Sequence, residues 1–134
     1  MAQEPRHILV VDDSPHIGVL CRMQFEHRGY RVSVAGTLAD ARRSLATDPP
    51  NAVLLDIHLP DGLGLELLGE LRQSVVTSDL PVIVLTAEGD EQMLQDSRRL
   101  GATVLTKPFS PSKLATRVLT LLGEPPEMPE GEGA

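Results

Sequence analysis

The chain has 134 residues with 19 acidic and 12 basic side chains, a formal net charge of −7, and three aromatic rings, Phe25, Tyr30 and Phe109. That length holds one domain of ordinary size, with a core built from Leu, Val, Ile and Ala rather than from rings. A single cysteine, Cys21, excludes an internal disulfide and a cysteine-based zinc cluster, no apolar run approaches the roughly 18 residues of a membrane span, and an acidic chain without a basic block is poorly suited to nucleic acid. The reducing context and the absence of a signal-peptide pattern in Met-Ala-Gln-Glu-Pro-Arg lead to the expectation of a cytoplasmic protein with no membrane and no direct nucleic-acid partner.

Residues 7–11, His-Ile-Leu-Val-Val, are continuously apolar after the histidine and end in Asp12-Asp13, which predicts a strand buried on both faces. Ser14-Pro15 offers an N-cap followed by proline at the first helical position. Ile17, Leu20, Cys21 and Phe25 then fall at helical spacing, and Gly29 stops the helix. Tyr30 to Ala35 alternates, with Tyr30, Val32 and Val34 on one face and Arg31 and Ser33 on the other, as an edge strand does. Thr37 caps a helix with Leu38, Ala41 and Leu45 that ends before Pro49-Pro50. Ala52 to Leu55 is a second fully apolar strand, ending in Asp56. A loop with Pro60, Gly62 and Gly64, read as turn glycines, leads to a helix with Leu67, Leu68 and Leu71. Pro81 to Leu85 is a third buried strand, ending in Thr86, and a polar helix occupies 90–100 before Gly101. Thr103 to Leu105 precedes Thr106-Lys107-Pro108, and the last helix runs from Ser110-Pro111 with Leu114, Val118 and Leu121 on one face. Strand and helix alternate five times, the pattern of an α/β fold with a parallel sheet covered on both faces. Residues 123–134 hold three prolines, three glycines and four glutamates. They read as a disordered acidic tail or linker beyond a domain of residues 1–122.

The polar residues at the ends of the apolar strands are Asp12, Asp13, Asp56, Thr86 and Lys107, and ligands of parallel sheets bind at that edge. Three crowded carboxylates repel one another unless a hard cation such as Mg²⁺ joins them. A carboxylate is also a nucleophile toward phosphorus, and the transferring group needs its oxygens neutralised by a cation, an ammonium or a hydroxyl.

Four segments, Val10-Val11-Asp12-Asp13, Leu55 to Gly64 (Leu-Asp-Ile-His-Leu-Pro-Asp-Gly-Leu-Gly), Leu85-Thr86-Ala87 and Thr106-Lys107-Pro108-Phe109, occur in this order over Arg6 to Leu122. In them the chain resembles the receiver domain of two-component response regulators and is similar to single-domain chemotaxis-type regulators. The resemblance implies a flavodoxin-like (βα)5 doubly wound sheet of order 2-1-3-4-5 and a cis Lys107-Pro108 peptide. It implies that Asp56 accepts phosphate from a histidine kinase or phosphotransfer protein in a two-component phosphorelay. Asp12, Asp13, Asp56 and the main-chain carbonyl of His58 would hold Mg²⁺ (or Mn²⁺), Thr86 would move onto the phosphoryl group, and Lys107 would pair with it. Such a domain is not an enzyme of the ordinary kind, although it catalyses its own phosphorylation and its own slow dephosphorylation. It acts by switching a surface toward a downstream protein target or toward a phosphorylation-dependent dimer. With one domain's length, any effect is expected to pass through a partner.

One position departs from the family: where a Tyr or Phe usually stands three residues before the site lysine, this chain has Val104, which has no ring to swing. We therefore expect coupling to be weaker, or routed through residues 87–100. His58 and Glu88, two residues after Asp56 and Thr86, flank the path of an attacking water and are expected to tune the phosphoryl lifetime. His7, His16 and His27 lack ligand-like spacing and read as surface residues, and Cys21 as a small core hydrophobe. An Asp-nucleophile phosphatase would want Asp-x-Asp-x-Thr after the first strand, where Asp12-Asp13-Ser14-Pro15-His16 stands. Dinucleotide binding lacks its glycine fingerprint. The alternative that remains is a pseudo-receiver that binds partners without phosphorylation.

Overall fold

The computed structural model describes residues 6–87 and 90–124. In chain order the first half is β1 (His7–Val11), α1 (Pro15–Phe25), β2 (Arg31–Ala35), α2 (Leu38–Thr47) and β3 (Ala52–Asp56). It continues with β4 (His58–Leu59), β5 (Gly62–Leu63), α3 (Gly64–Gln73), β6 (Val82–Ala87), α4 (Glu91–Arg99), β7 (Thr103–Lys107) and α5 (Pro111–Leu121). The main sheet has five parallel strands in the order β2-β1-β3-β6-β7, which is 2-1-3-4-5 when only its own strands are counted. Residues 88–89, which include Glu88, and residues 125–134 of the expected tail lie outside the described residues.

The three central strands are buried on both faces because alternate residues feed two different cores. Ile8, Val10, Ala52, Leu54, Ile83 and Leu85 pack with Cys21 and Phe25 of α1 and Leu114 and Val118 of α5. Leu9, Val11, Val53, Leu55, Val82 and Val84 pack with Leu38 of α2, with Leu67, Leu68 and Leu71 of α3, and with Met93 of α4. Each of those fully buried Leu and Ile side chains contributes about 1.5–3 kcal/mol of transfer free energy, so the strand runs alone justify the doubly covered sheet. Cys21 lies in the first core, and burial pushes its thiol up to about 12. Among the described residues no helix is long and apolar enough to cross a membrane.

Several expectations are corrected. His7 is buried, not on the surface, whereas His16 and His27 are exposed. It opens β1, where its Nε2 bonds Ser33 Oγ at 2.7 Å and its Nδ1 faces Asp48 Oδ1 at 3.8 Å. Val34 is 42 % exposed although the alternation of β2 placed it inward. There the sheet edge is met by Gly18 of α1, whose missing Cβ would lie 3.2 Å from Val34 Cγ2. Ser14 occupies the N-cap position of α1 without using its side chain, whereas Thr37 Oγ1 accepts from Asp40 N and Ser110 Oγ from Lys113 N. Beyond α1 a 3-10 turn over Glu26–Arg28 carries the chain to Gly29, whose φ of 89° supplies the left-handed stop. β6 and β7 run on to Ala87 and Lys107, past the expected ends at Leu85 and Leu105, because their ladder continues through Thr86↔Thr106 and Ala87↔Lys107.

The segment after β3, where the sequence predicts a loop, is a small antiparallel hairpin, β4 on β5, with His58 opposite Leu63. Two further contacts lock this segment. Asp61 Oδ1 and Oδ2 accept from Leu38 N and Ala39 N at 2.8 and 3.1 Å, capping α2 from a neighbouring connection. Gly64 N donates to Ile57 O at 2.6 Å, and a Cβ on Gly64 would stand 2.2 Å from Asp56 O, so only glycine allows α3 to begin there.

Candidate functional site

The parallel register brings the polar strand ends to one edge. β1 pairs with β3 up to Val11↔Leu55, so the next residues, Asp12 and Asp56, stand side by side beyond the ladder. β3 pairs with β6 at Asp56↔Leu85, which puts Thr86 one step past Asp56, and β6 places Lys107 opposite Ala87. Five residues scattered over 96 positions of sequence thus meet because the fold has one strand polarity.

Carboxylate oxygens of Asp12, Asp13 and Asp56 lie within 4.8 Å of one another. Asp12 and Asp56 are buried and Asp13 is exposed, so the cluster opens to solvent on the Asp13 side. Asp12 Oδ1 accepts from Ser14 N at 2.8 Å, while its Oδ2 is buried without a hydrogen-bond partner. Burial, opposed by that backbone bond and helped by the Asp56 charge, raises the Asp12 carboxyl above its ordinary value. Lys107 Nζ stands 3.5 Å from Asp56 Oδ2 and 3.7 Å from Asp12 Oδ2, one ammonium facing two buried carboxylates. Asp56 Oδ1 also takes a long bond of 3.3 Å from His58 N, at the start of the hairpin. Three carboxylates against one ammonium, with a buried oxygen left without a hydrogen bond, suit a hard divalent ion with oxygen ligands.

Thr86, 1 % exposed, does not point its hydroxyl bond into the cluster. Its Oγ1, with one proton to donate, has two acceptors at 3.3 Å, Ala87 O and Asp90 Oδ2. His58 is exposed, with Nε2 3.2 Å from the same Asp90 oxygen. Val104 is half-buried, opposite Val84 in the ladder and packed against the core that includes Met93 and Leu100 around α4. Asp90 is the one polar participant that sequence reading missed. It sits in a polar stretch with no apolar strand to mark it, and only its place two residues beyond Glu88 could have drawn notice.

A family model described as the response regulator receiver domain matches residues 8–119. The phosphate regulon transcriptional regulatory protein PhoB of Pseudomonas aeruginosa is 35% identical over 116 residues, covering 86% of this chain and 51% of that protein. The transcriptional regulatory protein KdpE of Mycobacterium tuberculosis is 39% identical over 112 residues, covering 83% of this chain and 48% of that protein. The chain therefore spans about half the length of these curated relatives. Among solved structures, a CheY-like response regulator receiver domain protein from Methanospirillum hungatei superposes with a TM-score of 0.81 at 28% identity, covering 89% of this chain and 94% of that one. The receiver domain of a signal transduction histidine kinase from Syntrophus aciditrophicus gives 0.80 at 28% identity over 93% and 96%. With its five-stranded sheet, its acidic edge and these likenesses, the chain belongs to the response regulator receiver domain family.

Proposed function

We propose that residues 1–122 act as a phosphoryl-accepting switch in two-component signalling, with Asp56 as the acceptor and 123–134 as a tail or linker. The observation that carries the reading is the meeting of three carboxylates within 4.8 Å with one ammonium 3.5 Å from Asp56. An Asp56 oxygen forms the new P–O bond as the P–N bond breaks to a donor phospho-imidazole protonated on its other nitrogen, so the electron pair stays on nitrogen and neutral imidazole leaves. Lys107 neutralises charge on the transferring group, and the Thr86 hydroxyl turns to donate to one of its oxygens. Asp12, Asp13, Asp56 and the His58 carbonyl would hold Mg²⁺ or Mn²⁺, which when bound supplies charge neutralisation on the phosphoryl oxygens. His58 and Glu88 set how long the phosphoryl group lasts, and the change reaches partners through Thr86 and the region of Val104 and α4. The donor is a histidine kinase or phosphotransfer protein, and the recipient of the signal is a downstream protein target or a second copy in a dimer, all in the cytoplasm.

Incubation of the full chain with phosphoramidate and Mg²⁺ tests this directly. The expected result is a covalent adduct with the mass of one phosphoryl group, absent in Asp56→Asn and in the presence of a chelator. A wild-type protein that takes up no phosphoryl group would turn the reading to a pseudo-receiver, a binding module independent of phosphorylation.

A further inference from the structure

Asp90 stands at the N-cap position of α4, yet its side chain caps nothing in that helix. Thr37 and Ser110 hold the same position in α2 and α5, and both accept from a backbone N–H of their own first turn. An aspartate at an N-cap ordinarily does likewise, because the first helical N–H groups have no other partner. Here a single oxygen, Asp90 Oδ2, accepts from Thr86 Oγ1 at 3.3 Å and lies 3.2 Å from His58 Nε2. Asp90 thereby ties together three elements of the site: the hairpin after β3, the end of β6 and the start of α4. A hydroxyl as buried as that of Thr86 must be satisfied by the protein, and both of its acceptors lie outside the acidic cluster.

We infer that Asp90 is a positioning residue for phosphoryl uptake: it holds the Thr86 hydroxyl on itself in the unphosphorylated protein and is released to cap α4 when Thr86 turns to the phosphoryl group. This rests on Asp56 being the acceptor. The two arrangements compete, since Thr86 has one proton to donate and the side-chain orientation that sets Asp90 Oδ2 on it leaves the first turn of α4 uncapped by Asp90. Whatever the Thr86–Asp90 contact adds to the resting state is therefore subtracted from the activated one. At 3.3 Å the bond is long for a hydroxyl on a carboxylate, so the latch is weak, and its removal favours the activated state by about two- to fivefold, the low end for one net hydrogen bond. The device also gives the signal a route to α4 that needs no ring at Val104.

The full chain and two variants test it. Asp90→Ser keeps a hydroxyl able to cap α4 but is too short to serve Thr86, whereas Asp90→Asn keeps an acceptor of the same length. The first readout, without any phosphodonor, is the Thr86 side-chain rotamer from its methyl carbon shift and three-bond couplings. It is expected to change in Asp90→Ser and to stay as in wild type in Asp90→Asn. The second is binding of beryllofluoride, a phosphoryl mimic, in the presence of Mg²⁺. Asp90→Ser is expected to bind it about two- to fivefold more tightly, Asp90→Asn as wild type does, and Asp90→Ser in a Thr86→Ala background no more tightly than Thr86→Ala alone. An unchanged Thr86 rotamer in Asp90→Ser, or an equal tightening with and without the Thr86 hydroxyl, overturns the inference. Should wild type neither bind beryllofluoride nor be phosphorylated on Asp56, it is the acceptor assignment that fails, and the rotamer measurement alone then decides the role of Asp90.

Discussion

Asp12 is a buried acid whose side chain the fold satisfies only in part. It is 2 % exposed, carries an oxygen without a hydrogen bond, and faces a second carboxylate on the next strand. Its folded carboxyl lies above 3.8, so the stability it allows is full below the unfolded value and falls as pH rises through the folded one. At neutral pH its burial and the Asp56 charge therefore cost stability that Lys107 Nζ, 3.7 Å from its Oδ2, offsets only in part, unless a metal ion is bound. Asp12→Asn keeps the acceptor for Ser14 N and removes the Asp12 charge. In Mg²⁺-free buffer this variant is expected to gain about 1 kcal/mol, roughly 3–5 °C in Tm for a domain of this size. Added Mg²⁺ should raise the Tm of wild type and leave that of Asp12→Asn nearly unchanged. A variant that melts below wild type in chelator would contradict this account. At this scale the site was largely legible: Asp12, Asp13, Asp56, Thr86 and Lys107 each end or follow an apolar run, and one strand polarity suffices to gather them. Asp90 and His7 were not, because their roles come from which neighbours the packing supplies. A histidine opening a buried strand looks the same in sequence whether or not a Ser33 waits across the ladder.

At the scale of elements, the connection after β3 does more than carry Asp56. Its hairpin sets His58 beside the acidic cluster, and Asp61 from the same turn caps α2 through Leu38 N and Ala39 N. Those bonds, the Leu38 one foremost, hold the Asp61 carboxyl below its ordinary 3.8. A depressed folded value means that the stabilisation is complete above the unfolded value and is lost as pH falls through the folded one. Asp61→Ala is therefore expected to lower Tm at neutral pH, with the gap to wild type closing as pH falls below 3.8 and through the lowered folded value. Asp61→Asn, which keeps a neutral acceptor, should show a smaller loss with little acid dependence. Thermal melts of the three proteins at two pH values decide it, and a gap that widens on acidification would refute the assignment. The order and type of the main elements follow from apolar period and from Pro and Gly punctuation, as Pro15, Thr37 and Gly29 show. The β4–β5 hairpin escaped because two-residue strands have no period to read, and the outward lean of Val34 because it depends on how closely Gly18 lets α1 approach the sheet edge.

Over the whole molecule, strand polarity separates chemistry from closure. The carboxyl edge holds the acidic cluster. At the opposite edge, Arg6 and Tyr30 both engage Glu124, which fastens the end of the last helix to the start of the sheet. Beside the acidic edge, a groove of about 350 Å³ is lined by Asp12, Asp13, Gly18, Val19, Arg22 and Val34. Of its lining, Val19 is 58 % exposed, and beyond the groove Met23, one turn further along the same face of α1, is 68 % exposed. Two exposed apolar side chains one turn apart beside the acidic cluster offer a strip on which an apolar partner face can bury area. A protein donor that must bring a phospho-imidazole to Asp56 can seat its own apolar face on this strip, whereas a small donor needs only the cluster. Met23→Glu puts a charge into that strip without touching the core or the carboxylates. It is expected to slow transfer from a phosphorylated histidine kinase or phosphotransfer domain by about tenfold or more, the loss typical of one central apolar anchor. Phosphorylation by phosphoramidate should proceed at the wild-type rate, and unfolding free energy should stay within about 0.5 kcal/mol of wild type, as for ordinary surface changes. Equal rates from the protein donor for both proteins would move the docking face away from α1. Equal slowing from both donors would mean that Met23 acts through the acidic cluster itself.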